Sequence, residues 1–179
     1  MAENQFSLST GQRAERKLLI TVAEWNQLVG TTQTPVREIL GTRTEDSSIE
    51  YNPDIQTSTD VRGFNYTDVN KTQPQQAFDP FLVLGGSKLG AKLNDIRRRN
   101  AVSELNQFTI YVITAYINAG TAQNPSYEAE KHIDCTITYD SLGGDTNVNF
   151  PITIYFSNKI TLGTVDKLSD DFAFSPAGS

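Results

Sequence analysis

The segment QFTIYVITAYI, Gln107–Ile117, decides the fold. It is rich in β-branched and aromatic residues, and both of its alternating faces are apolar. Phe108, Ile110, Val112 and Tyr116 fall on one face, and Tyr111, Ile113, Ala115 and Ile117 on the other. A strand of this kind has to be covered on both sides, so the chain is expected to form layered β structure around it. The next segment, HIDCTITYD, points Ile133, Cys135, Ile137 and Tyr139 inward and Asp134, Thr136, Thr138 and Asp140 outward. After the turn DSLGGDT, NVNFPITIYFS aligns Phe150, Ile152, Ile154 and Phe156 on one face. KITLGTV is expected to be the last short strand, and residues 166–179, DKLSDDFAFSPAGS, a polar C-terminal arm.

Working upstream, KLNDIRRR switches period. Leu89, Leu93 and Ile96 recur at helical spacing behind Ser87, an N-cap type, which predicts one helix over 87–99. Arg97, Arg98 and Arg99 then complement the carbonyl end of the helix dipole, and Asp95 pairs with Arg99 one turn on. Further upstream, ERKLLITVAEW puts Leu18, Ile20 and Val22 on one face of a first strand, behind an N-terminal arm at 1–16 and before a turn at Gly30–Thr34. EILGTRTEDSSIEYNPDIQTSTDVRGFNYTDV, 38–69, reads as one long hairpin with its tip at Asn52 and Pro53. Its middle carries charge, Thr and Ser where a hairpin that buried a face would carry Val and Leu. Isolated two-stranded hairpins are marginal in water and open edges recruit strands, so a second copy is expected to complete it. The fold class is therefore mainly β: an antiparallel sandwich or flattened barrel in one domain, with one flanking helix, a protruding hairpin and extended terminal arms.

The bulk numbers exclude several classes. At 179 residues, 37% hydrophobic, with a mean hydropathy of -0.39, the chain has enough apolar residues for a core. A net charge of -6 and a pI near 4.7 oppose general binding to nucleic acid or anionic membranes. No basic and then apolar leader opens the sequence, and no apolar run approaches the roughly 20 residues of a membrane span. The expectation is a protein made in a cytoplasm, for which the triplets at Asn65–Thr67 and Asn70–Thr72 carry no glycosylation meaning.

The chemistry-bearing residues are sparse. His132 and Cys135 are the one histidine and one cysteine, so no disulfide forms within the chain and no histidine pair holds zinc. Three residues apart on a strand they point to opposite faces, which favours a surface histidine beside a buried thiol over a nucleophile and base pair. DSLGGDTN lacks the spacing and closing glutamate of an EF-hand, and a tight hairpin connection is favoured. The carboxylate neighbours Glu45 with Asp46 and Asp170 with Asp171 read as solvated charge. GGSKLG lacks phosphate-loop spacing, and its glycines serve a turn into the helix. The arginine triplet suits a helix end or an interface better than DNA. No enzyme, cofactor or metal is expected.

The order of a first strand, the hairpin REILGTRTEDSSIEYNPDIQTSTDVRG, the FDPF approach to one helix, and a closing run NFPITIYFSNKITLGTV resembles the major tail proteins, or tail tube proteins, of long-tailed bacteriophages. TSTDVRG carries the resemblance most, and it spans roughly Lys17 to Asp166. It implies a structural virion protein whose copies form hexameric rings stacked into a tube, the conduit for DNA delivery. The hairpin would reach the adjacent ring through Thr42, Arg43, Thr44, Glu45, Asp46, Tyr51, Asp54, Thr59, Asp60 and Arg62. Arg97, Arg98, Arg99, Tyr111 and Ile113 are the candidates for contacts within a ring. Partners would be further copies of itself, the tail tape measure, tail terminator and tail-tip initiator proteins, and DNA that slides past an acidic lumen without tight binding. The resemblance implies no membrane and a location in the virion tail, with assembly in the host cytoplasm. The tube of a contractile tail or phage-derived bacteriocin shares this arrangement. A β-sandwich carbohydrate-binding or adhesin module is the alternative from another class, disfavoured because Trp25 and most Tyr and Phe fall at core-type positions.

Overall fold

Both faces of Gln107–Ile117 are covered, as its alternation requires. A computed structural model of the chain, describing residues 6–121 and 123–178, shows a mainly β, antiparallel, sandwich-like fold with one helix; it is not a closed barrel. The strands are β1 Leu19–Val29, β2 Thr32–Ile39, β3 Ile49–Glu50, β4 Asp54–Thr59, β5 Asn65–Lys71, β6 Gln75–Phe78, β7 Phe108–Asn118, β8 Tyr127–Tyr139, β9 Ile152–Tyr155, β10 Ile160–Val165 and β11 Phe174–Pro176. The helix α1, Lys88–Arg99, lies between β6 and β7.

The hydrogen-bonded path runs β2-β1-β7-β8-β9-β6-β3, with β10 on β8 and β11 on β10, while β4 and β5 pair only with each other. β8 serves two layers. Its first half pairs with β7 and β10, and Thr136–Tyr139 pairs with β9. The change comes at a bulge: Phe108 faces Cys135 but Ile110 faces His132, so β8 carries an extra residue, and Asp134 takes a left-handed φ of 58°.

Two cores result. Between the layers, Ala23, Trp25, Phe108, Ile110, Cys135 and Ile137 meet Phe78, Phe150, Ile152 and Ile154, with Leu89, Leu93 and Ile96 of α1 closing one side. On the far face of the β1–β7–β8 layer, Val22, Tyr111, Ile113, Ala129 and Val165 pack under Phe172 and Phe174. α1 starts where the sequence signals place it: the Ser87 side chain accepts from Gly90 N at 3.0 Å. The Glu38 carboxylate from β2 adds to this by accepting from Leu89 N and the Ser87 hydroxyl, fixing negative charge at the positive end of the helix.

Several expectations are corrected. Residues 38–69 are not one hairpin. β2 turns back on β1 through Gly30 and Thr31, residues 40–48 form a connection, and β3 joins the β6 edge. The hairpin is β4–β5, and Asn52 and Pro53 sit at its root, where Asn52 donates to Gln73 O. Its tip is Asp60–Gly63: the Asp60 carboxylate accepts from Arg62 N and Phe64 N, and Gly63 supplies a φ of 83°. Asn52 lost the competition because Asp60 and Gly63 together satisfy a reversal at both ends.

KITLGTV is not the last strand, and 166–179 is not a loose arm. Phe172 is buried and β11 pairs with β10, because the aromatics inside that polar stretch cover the second core. Of the 1–16 arm, residues 1–5 lie outside the described residues. Ser7 N donates to Tyr116 O, and Phe6 lies 5.9 Å from the Tyr116 ring. Arg16 donates to Leu19 O and to Ser47 O, so the arm is tied to the body near Phe6–Ser7 and again at Arg16. The bulge also inverts part of β8: Ile133 points outward and His132 is buried. Finally, residues 140–151 make a longer loop than a tight hairpin, pinched where Gly143 bridges to Asn149.

Candidate assembly interface

Every residue from Tyr51 to Gln73 is exposed. The ribbon is held by its own ladder and by Thr pairs: Thr57 faces Thr67 at 3.3 Å between hydroxyls, and the Thr59 hydroxyl donates to Asn65 Oδ1. On the same face Ile55 opposes Val69, both exposed. Neither makes a contact that the body of the molecule would lose. At the tip, Val61 is fully exposed and Phe64 is 63% exposed, with the Arg62 guanidinium 5.4 Å from the Phe64 ring centroid. The structure therefore separates the residues expected at the inter-ring surface. Tyr51, Asp54, Thr59, Asp60 and Arg62 lie on the ribbon or at its root. Thr42, Arg43, Thr44, Glu45 and Asp46 lie in the 40–48 connection, where the half-buried Thr44 donates to Pro80 O at 2.8 Å. The ribbon's apolar members Ile55, Val61 and Phe64 were not singled out in the sequence; DVRGF, with its turn-forming Asp and Gly, was the available signal.

The residues expected within a ring divide too. Tyr111 and Ile113 are buried in the second core, which removes them from any contact surface. Tyr111 OH lies 3.4 Å from the Glu24 carboxylate, and burial pushes its hydroxyl up to about 12. At the end of α1, Arg99 binds Asp95 at 2.6 Å and Glu104 at 2.9 Å, and Lys92 also holds Glu104. Hydrogen bonds from Arg99 and Lys92 hold Glu104 down to about 2. Arg97 donates to Asn94 at 2.9 Å. Arg98 alone of the triplet has no side-chain partner among the described residues.

The other chemical candidates are accounted for locally. His132 stacks edge-on to Phe156, with Nδ1 3.2 Å from Ser157 O and Nε2 3.2 Å from Glu130. Cys135 is fully buried, and desolvation raises its thiol. Asp170 pairs with Lys88, and Lys167 with Ser169 holds Asp171 down to about 2. Among the described residues no group of three or more His, Cys, Asp or Glu is placed to hold a metal ion, and no helix is long and apolar enough to cross a membrane.

One further surface stands out. A groove of about 380 Å³ lies between the start of α1 and the 140–149 loop, and its lining is mostly apolar. Val83, Leu142 and Val148 on its walls are 44–50% exposed.

No protein-family model matches the chain, and no curated protein sequence matches it. Among solved structures it is similar to a chain in the cryo-EM structure of the anti-feeding prophage baseplate, six-fold symmetrised. Identity is 12%, the match covers 87% of this chain and 97% of that one, and the TM-score is 0.42. A likeness that distant establishes neither fold nor function.

Proposed function

We propose that the chain is a structural virion subunit of the tail tube class: copies form rings, expected to be hexameric, that stack into a hollow tube for DNA delivery. The carrying observation is the β4–β5 ribbon. Six pairs of strand residues are ordered against one another with no side of the ribbon covered by the chain's own body. Two-stranded ribbons are marginal alone, so a ribbon of this kind implies a partner that completes it. In a repeating assembly the simplest partner is the next copy, contacted head to tail, which closes rings or propagates stacks. The reading is non-catalytic and needs no cofactor. Its further partners are tape measure, terminator and tail-tip initiator proteins, with DNA passing through without tight binding. The subunit would be made in the host cytoplasm and end in the virion tail.

Negative-stain electron microscopy at high protein concentration, with light scattering of a dilute sample, tests this. Hollow tubes or rings with a regular axial repeat are expected. A monomer at every concentration, also in the presence of tail-tip extract, refutes it. One observation favours a carbohydrate-binding or adhesin module instead: Tyr51, Phe64 and Tyr66 are exposed on the same ribbon. Glycan-array binding lost on Phe64→Ala would establish that alternative.

A further inference from the structure

We propose that the apolar groove between α1 and the 140–149 loop is the seat for the hairpin tip of a second copy; this rests on the tube assembly above and names the surface where one subunit receives the next.

The groove is lined by Val83, Leu84, Ala91, Leu142, Val148 and Phe150. Its wall residues remain about half exposed, although the same chain buries Phe150 completely below them. Apolar walls of this kind around a concave site mark a place where something else packs. The tip offers the complementary shape: Val61 and Phe64 project from a tight turn and touch no wall of their own molecule. With six residues in β4 at about 3.4 Å each, the tip stands roughly 20 Å from the root of the hairpin. That reach carries it beyond the subunit's own surface to a neighbour.

Charge selects this pairing over the exposed aliphatic pair on β10. Arg62 sits between Val61 and Phe64 and forms no ion pair among the described residues, since Asp60 beside it is occupied by the backbone of the turn. The loop that supplies Leu142 and Val148 to the groove carries Asp140 and Asp145, both exposed and both without an ion pair among the described residues. An unpaired cation between two apolar knobs therefore meets two unpaired carboxylates beside two apolar walls. Ile160 and Leu162 also expose aliphatic surface. Their neighbouring carboxylates Asp134 and Glu130, however, already hold Lys159 and His132.

The test is disulfide trapping in the full-length protein with Phe64→Cys and Leu142→Cys combined. The native Cys135 is buried, so it does not compete. Polymers of the double variant, oxidised mildly and run on a non-reducing gel, are expected to give a ladder of linked subunits, while each single variant gives none. Regular polymers whose thiols react with maleimide before assembly but yield no ladder overturn the groove and leave the tube reading standing. A disulfide-linked dimer from Phe64→Cys alone means tip-to-tip contact and also overturns it. Wild-type protein that never polymerises removes both readings. Independently, Arg62→Glu is expected to raise the concentration required for assembly about tenfold, the effect of roughly 1.4 kcal/mol per contact. Adding Asp140→Lys and Asp145→Lys is expected to restore it. A combined variant as defective as Arg62→Glu alone refutes the pairing.

Discussion

Excising residues 54–71 and joining Pro53 to Thr72 with four Gly and Ser residues separates the hairpin's two conceivable roles, because none of the excised residues is buried. If the hairpin served the fold, removing it would expose core. The structure says that no apolar area is uncovered, so the transfer term is close to zero. The remaining term is chain entropy. The connection from β3 to β6 shortens from about 24 residues to about 10, and the loop-closure relation makes that about 0.8 kcal/mol in favour of the variant. Losing the ribbon's own marginal ladder offsets part of this. The net change should therefore stay within about 1 kcal/mol, a shift of about 2–4 °C in Tm for a domain of this length. Thermal unfolding followed by circular dichroism measures the first quantity, and electron microscopy of the concentrated variant measures the second. The expected result is a folded monomer with an unchanged transition and no polymers. A variant that loses 10 °C refutes the claim that the hairpin is independent of the core, and a variant that assembles normally refutes its role between copies.

Four further outcomes follow from named contacts. Phe172→Ala should cost about 3–5 kcal/mol, the range for deleting a buried aromatic, because it uncovers Tyr111, which it meets edge-on at 4.9 Å, and releases Arg37 stacked at 4.2 Å; chemical denaturation reads this. Gly163→Ala would place a Cβ 2.3 Å from Ser175 O and 2.6 Å from the Phe174 ring, so β11 should detach, with faster amide exchange at 174–176 and little change in β7. For Glu104 the folded carboxyl is held near 2, below its ordinary value of 4.5, so its contribution is complete above about pH 4.5 and fades as pH falls toward 2. Glu104→Gln should flatten that part of the stability profile measured by urea unfolding. Ser87→Ala should destabilise by about 1 kcal/mol through the lost cap, and Glu38→Gln in the same background should add to it, which a double-mutant cycle in urea reads.

Where one signal dominated, the sequence was legible. Phe108–Ile117 reads as covered on both faces because both sets of alternate residues are apolar, and both cores use it. α1 reads from Leu89, Leu93 and Ile96 because period and cap agree. The failures have local causes. Asp134 is an ordinary residue in an ordinary alternation, and only the partner strands reveal the extra residue that turns His132 in and Ile133 out. Phe172 and Phe174 were hidden by the Asp and Ser around them, since average polarity conceals two aromatics two residues apart on one face. Tyr111 and Ile113 were offered as a contact surface because a two-faced strand does not say whether its second cover comes from the same chain; here it comes from residues 168–176. The hairpin was anticipated as a ribbon that its own core leaves bare, but two turn signals competed inside it and the weaker was preferred. The groove was invisible, since Val83 and the start of α1 lie more than fifty residues from the loop that carries Leu142 and Val148.

The sharing of β8 between two layers has a mechanical consequence. A pull on the β9–β6–β3 side reaches β7 and β1 along the peptide bonds of one continuous backbone, instead of across a slip plane of side chains. The two layers cannot slide apart without peeling a thirteen-residue strand from its neighbours. The Lys159–Asp134 ion pair and Ser157, which donates to Ile133 O, tie the bend of that strand to the segment following β9. Tension along the sheet direction is thus met by many ladder bonds in shear at once, while the hairpin, attached only at its root, remains compliant.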